Sequence, residues 1–240
     1  GHLDPAVDRA KDVGRLAPGI FEAVGGSLEK VAEESQLAFV RGPAIPQHAL
    51  VATGRANGMV LNNRFTNLTG TALLLKDCTG SYLISNNSFA DDLATNPKDA
   101  ISVVQTGAST LSLEVGQNSV TTPDRVAAFD NGVHVLNSGT SKLTLLVQQN
   151  GFEAQGNGVN LQLNSAANVS ATVSNNTFTR CQLDSVGVFS GTADADSAVS
   201  TVNVTDNTFV NGLGAAVLLR SRGVNTVTQN WTVERNTVQA

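Results

Sequence analysis

The chain has 240 residues, a formal net charge of −5, 15% charged residues and 5% aromatic residues. That length is enough for a substantial core in one or two domains. The acidic balance excludes the basic footprint of a nucleic-acid binder. No apolar run reaches the roughly 18 residues of a membrane-spanning helix, and no basic segment followed by an apolar stretch marks a signal peptide.

The first elements read as helices. Asp4-Pro5 offers an N-cap followed by proline at the first helical position, which predicts a helix to about Leu16. Ser27 caps a second. Its Leu28, Val31 and Ala32 fall on one face, opposite Glu29, Lys30, Glu33 and Glu34. Composition changes near Gly42-Pro43, after which Asn, Ser, Thr, Gly and Val dominate, the palette of strands and turns. Residues 1–50 are therefore expected to be an N-terminal helical cap and linker, with His48 in the linker. Residues 51–240 are expected to be a repeat domain.

From Val60 onward one phrase recurs: a β-branched residue, any residue, a polar residue, an asparagine, any residue, then Phe or Val. Its asparagines are Asn63, Asn87, Asn118, Asn150, Asn176, Asn207 and Asn236, spaced by 24, 31, 32, 26, 31 and 29. Repeats of this length signal a solenoid. Apolar residues alternate before each asparagine, as in Thr201-Val202-Asn203-Val204, which is strand periodicity. Asparagine tolerates left-handed backbone angles and caps its own turn, and stacked amides can form a ladder. Phe65, Phe89, Phe152, Phe178 and Phe209 follow two places later and would stack inside. A further strand comes next in each repeat: Ala72-Leu73-Leu74, Ile101-Ser102-Val103, Val133-His134-Val135, Val159-Asn160-Leu161, Val186-Gly187-Val188 and Ala216-Val217-Leu218. With a third short strand, each repeat would close one coil. A leucine-rich repeat also uses an asparagine in such a phrase, but wants leucine where this chain has Val and Phe.

Phrases such as Ser174-Asn175-Asn176-Thr177-Phe178 and Thr205-Asp206-Asn207-Thr208-Phe209 resemble the repeat of right-handed parallel β-helix proteins of the pectin-lyase-like superfamily, over residues 56–240. The resemblance implies an all-β fold: a right-handed parallel β-helix of about seven coils with an N-terminal helical cap. That superfamily holds polysaccharide lyases and hydrolases as well as tailspikes and surface passengers, so fold alone does not fix the activity.

Candidate chemistry is sparse. The lyases that the chain resembles bind calcium through carboxylates. Calcium wants six to eight oxygens, and the closest cluster is Asp91, Asp92 and Asp99, expected to lie in a loop. Asp194 and Asp196 form a second, smaller one. His134 lies on an outward strand position, with Asp130 as its nearest sequence carboxylate for general acid–base work. Hence Asp91, Asp92, Asp99, Asp130 and His134 are the catalytic candidates. Asp91, Asp92 and Asp99 are the calcium candidates, and no other cofactor is expected. The chain has one Trp and one Tyr, both on the inward phase, which gives a sugar cleft few aromatic platforms. Cys78 and Cys181 occupy different repeat positions and are expected to be unpaired.

One apolar column, Leu75, Val104, Leu136, Phe189 and Leu219, with Leu73 and Val217 beside it, is expected to face outward as an interface for another chain. The resulting expectation is a non-catalytic β-helix segment of a secreted or cell-surface bacterial protein. It would serve as a rigid stalk or binding surface for a polysaccharide or protein partner, and homo-oligomerisation through the apolar column is expected. The alternative is a polysaccharide lyase or glycoside hydrolase acting on an acidic polysaccharide. Neither nucleic acid nor a membrane span enters the expectation.

Overall fold

The computed structural model describes residues 22–23, 48–66, 70–90, 99–122, 129–191, 196–222 and 228–239. Every regular element among them is a strand, and every strand pairing is parallel. Three sheets result, each built from one strand per coil. We number them in the order the chain visits them. Sheet I holds His48–Thr53, Thr71–Lys76, Asp99–Gln105, Asn131–Asn137, Asn157–Leu163, Val186–Ser190 and Val217–Ser221. Sheet II runs from Ala56–Leu61 through Thr79–Ser85, Thr110–Gly116, Lys142–Gln148, Asn168–Ser174 and Val199–Thr205 to Thr228–Glu234. Sheet III holds the short strands, from Arg64–Thr66 to Thr237–Gln239, with Glu22–Ala23 paired to Arg64–Thr66 at its edge.

This is a parallel β-solenoid, with no helix among the described residues. The helices expected over 4–16 and from Ser27 lie outside them, as do Asp91, Asp92 and Asp194. Sheet structure starts earlier than the expected boundary: His48 opens the first strand of sheet I instead of lying in a linker. Alternation of apolar residues does not stop at Pro46, so the chain can pair from His48 on.

The corner between sheets II and III is the most regular part of the molecule. It is always two residues long: Asn62-Asn63, Asn86-Asn87, Gln117-Asn118, Gln149-Asn150, Asn175-Asn176, Asp206-Asn207 and Arg235-Asn236. The left-handed backbone falls on the first residue of each pair, with φ between 55° and 58° at Asn62, Asn86, Gln117, Gln149, Asn175, Asp206 and Arg235. The recurring asparagine itself is not left-handed. Its task is the ladder. The Asn87 backbone N–H and Nδ2 both donate to Asn118 Oδ1, at 2.9 and 3.0 Å. Asn118 does the same to Asn150, Asn150 to Asn176, Asn176 to Asn207 and Asn207 to Asn236. Nδ2 also donates back to the preceding coil, for example from Asn150 to the Val115 carbonyl at 2.9 Å. Each buried amide thus has partners above and below, and Asn87, Asn150 and Asn207 also donate to a carbonyl of their own coil, which is what a buried polar group requires.

The core is a set of stacked columns. Phe65 lies on Phe89 with ring centroids 4.8 Å apart, and Phe152, Phe178 and Phe209 stack at 5.0 and 5.1 Å. Val120 holds the same register between Phe89 and Phe152. Sheet I contributes Leu73, Ile101, Val133, Val159 and Val186 in one inward column and Leu75, Val103, Val135, Leu161 and Val188 in another, all buried. Burial of each such side chain stabilises the fold by about 1.5–3 kcal/mol.

That register corrects the expected outward column. Leu75 is fully buried, and Leu219 sits in its column, packed partly against the core. Leu73 and Val217 likewise belong to the inward set. The outward positions are Lys76, Val104, Leu136, Gln162, Phe189 and Arg220. Val104, Leu136 and Phe189 are half-buried, and the charged Lys76 and Arg220 are exposed at the two ends. Cys78 and Cys181 are buried free thiols, and burial pushes the Cys181 thiol up to about 11.

Candidate functional site

The connections from sheet III to sheet I vary in length, from residues 154–156 to residues 122–130. The starts of the sheet I strands therefore follow connections of variable length on a fixed frame, the usual arrangement for a binding site. Asp99, Asn131 and Asn157 share one register at these strand starts. Gly132 and Gly158 follow the two asparagines. A Cβ on either would come within 2.4 Å of the Phe152 ring or 2.3 Å of the Phe178 ring, so only glycine lets the strand start press onto the Phe column.

A second polar ladder runs along this edge. Asn131 Nδ2 donates to Asp99 Oδ1 at 2.6 Å. Asn131 Oδ1 accepts from Asn157 Nδ2 at 2.9 Å and from Asn160 Nδ2 at 3.2 Å. Asn157 Oδ1 accepts from the Asp184 N–H, and Asp184 Oδ1 from the Ala215 N–H, both at 3.1 Å. Asp99 is the charged end of this series, and it opens a strand instead of lying in a loop.

His134 joins Asp99 from the next coil: its Nδ1 lies 2.9 Å from Asp99 Oδ2. Asp99, not Asp130, is thus the carboxylate that holds the imidazole. In the neutral imidazole, a carboxylate acceptor there places the proton on Nδ1 and leaves the Nε2 lone pair as acceptor. Nε2 is buried and has no hydrogen-bond partner among the described residues. In register with His134, Asn160 is also buried, and its Oδ1 is likewise unpartnered. Ser102 is the neighbour of His134 in the coil before. Asp130 stands just before the strand. Although the residue is exposed, partial desolvation raises its carboxyl above the ordinary carboxylate value, repulsion from Asp99 adds to the rise, and His134 offsets part of it.

The structure thus brings together three of the sequence candidates, Asp99, Asp130 and His134, with Asn131 and Asn160 added. Sequence reasoning missed Asn131 and Asn157 because they look like turn residues, and read Asn160 as an ordinary strand position. The signal for the first two is the repeated Asn-Gly, at Asn131-Gly132 and Asn157-Gly158. Among the described residues, no group of three or more His, Cys, Asp or Glu side chains could hold a metal ion. Elsewhere, Asp196 is buried and its Oδ1 accepts from the Ser165 N–H at 2.6 Å. That is a turn-fixing contact away from the site. On the far face, Met59, Leu83, Glu114 and Leu146 of sheet II line a shallow open groove.

Residues 48–238 match the family described as right-handed beta helix region, and the chain belongs to it. No protein of curated function and no solved structure matches.

Proposed function

As a member of the right-handed β-helix family, this chain is, we propose, a non-catalytic binding segment of a secreted or cell-surface bacterial protein, a rigid column that takes a polysaccharide at the Asp99–His134–Asn160 edge of sheet I. The observation that carries this reading is the pair of buried, unpartnered acceptors, His134 Nε2 and Asn160 Oδ1, side by side in register. A buried acceptor without a donor carries a penalty of about 1–3 kcal/mol, and a hydroxyl-rich ligand removes it.

A catalytic reading, as a glycoside hydrolase or polysaccharide lyase, is favoured by one observation, the Asp99–His134 pair beside a carboxyl with raised affinity for its proton. Against it stands the use of Asp99. Both its oxygens are engaged, by Asn131 and His134. Among the described residues Asp130 is then the one carboxyl at the site free to act, where glycoside hydrolysis ordinarily needs two. The binding reading requires no cofactor; calcium at Asp91, Asp92 and Asp99 would instead support the lyase, and adding calcium is expected to leave the melting temperature unchanged. Association of copies through Val104, Leu136 and Phe189 remains compatible with binding on this face.

The test is a panel of soluble polysaccharides scored for binding and for product release. Binding without cleavage, weakened by His134→Phe, supports the proposal. Cleavage that disappears in Asp130→Asn and His134→Gln would replace it with the enzymatic reading.

A further inference from the structure

We infer that the sheet I edge selects a neutral, hydroxyl-bearing glycan over a uronate-containing one. This inference rests on the binding reading above and adds the chemical class of the ligand.

The inference follows from counting donors and acceptors. In the neutral imidazole, the Asp99 carboxylate fixes the His134 tautomer by its contact to Nδ1 at 2.9 Å, and Nε2 then presents a lone pair. Asn160 is fixed too: its Nδ2 donates to Asn131 Oδ1 at 3.2 Å, so the oxygen is the end left over. Asn131 in turn is held by Asp99 and Asn157, so the orientation of the amides is set by a chain of contacts and not by one weak bond. Both free atoms are buried acceptors, Asn160 itself being only 8% exposed. Asp130 adds a carboxyl beside them, and its electrostatic neighbours are Asp99 and His134. Nε2 and Asn160 Oδ1 both want a donor.

A sugar hydroxyl is a donor without charge. A uronate carboxylate is an acceptor with a negative charge. Placed here it would leave Nε2 and Asn160 Oδ1 unmet and would face Asp99 and Asp130. Recognition of carboxylates commonly uses an Arg fork or a Lys. Among the described residues no Lys or Arg makes an ion pair with Asp99, Asp130 or His134. Lys76 and Arg220 lie on the same sheet, but in the column of Leu136 and at the edges of the patch. A site whose buried groups are built to bond a hydroxyl discriminates strongly against ligands that cannot supply one.

The test is titration calorimetry of the full 240-residue chain with xylohexaose, cellohexaose and mannohexaose, and with hexamers of galacturonate and of guluronate, at neutral pH and moderate salt. At least one neutral hexamer is expected to bind tenfold or more tightly than both uronates. Asn160→Leu and His134→Phe should each weaken it fivefold or more, with unchanged far-UV circular dichroism. Asn160→Asp, which keeps an acceptor, should retain more affinity than Asn160→Leu. As a readout independent of affinity, the His134 Nε2 nitrogen resonance should shift when the neutral hexamer is added. Tighter binding of a uronate that His134→Phe abolishes would overturn the selectivity and leave the site standing. Binding of either class that ignores both substitutions would overturn the site itself, and this inference with it. No binding by any hexamer would likewise overturn the site.

Discussion

His134 Nδ1 and Asp99 Oδ2 lie 2.9 Å apart although 35 residues separate them in the chain. They meet because parallel pairing sets Asn131 beside Asp99 and carries His134 to the outward side of the same strand, three residues on. Replacing Asp99 by Leu strips Asn131 Nδ2 and His134 Nδ1 of their acceptor together. The expected loss is about 1.5–3 kcal/mol of unfolding free energy, read from urea denaturation. A loss as small as that of an exposed Thr177→Ala control would refute the structural weight given to this contact.

The corner ladder gives a second expectation. Asn176→Ala removes an amide that receives Asn150 and donates to Asn207 and to the Val147 carbonyl. Destabilisation of about 1–3 kcal/mol is expected. Asn63 sits in the first coil and is less buried than Asn87, Asn118, Asn150, Asn176 and Asn207, so Asn63→Ala should cost less.

Backbone strain at the same corner is separable from the ladder. Gln149 holds φ at 56°. Gln149→Gly is expected to stabilise by roughly 0.5–1 kcal/mol, since glycine adopts this region freely. Gln149→Val should destabilise by about 1–2 kcal/mol. Thermal melts of both variants decide it; equal melting temperatures would remove the strain argument.

Asp130 supplies a pH dependence with a definite sign. Its carboxyl has a folded-state value raised above the ordinary 3.8 by burial and by Asp99, so the ionised form is disfavoured in the fold. The resulting penalty is absent below the unfolded value, grows as pH rises, and is complete above the folded value. Asp130→Asn should therefore melt higher than the parent chain near pH 7, and the difference should vanish towards about pH 3. A variant that is less stable at neutral pH would show that Asp130 is held by contacts that its charge repulsions do not outweigh.

Much of the solenoid was legible in the sequence because its period is written in chemically distinctive residues. The asparagine, the Phe two places later and the alternating Val positions each mark one column. The phase of the other strands was harder. Both Ala72 and Leu73 are buried, as are Ala100 and Ile101, because the strand bends inward where it leaves the corner. Strict alternation fails across such a bend. Aligning Ala72-Leu73-Leu74 and Ala216-Val217-Leu218 with Ile101-Ser102-Val103 put Leu75 and Leu219 outside by one residue, whereas the outward neighbours in the true register are Lys76 and Arg220. The partner of His134 was also hidden. Asp130 is nearer in sequence, but which residue of the preceding coil faces His134 depends on the lengths of the intervening connections, and those follow no period.

The constant two-residue corner between sheets II and III has a consequence for how such a protein can change. Insertions are accommodated at the other two corners, as residues 122–130 and 191–198 show. Since every coil is indexed by its own asparagine, a lengthened connection does not shift the columns beyond it. New side chains can thus be laid along the rim of sheet I, one coil at a time, while the interior stays the same. The molecule separates the part that must be conserved to stand up from the part that is free to specialise, and a designer could graft a different rim onto the same column.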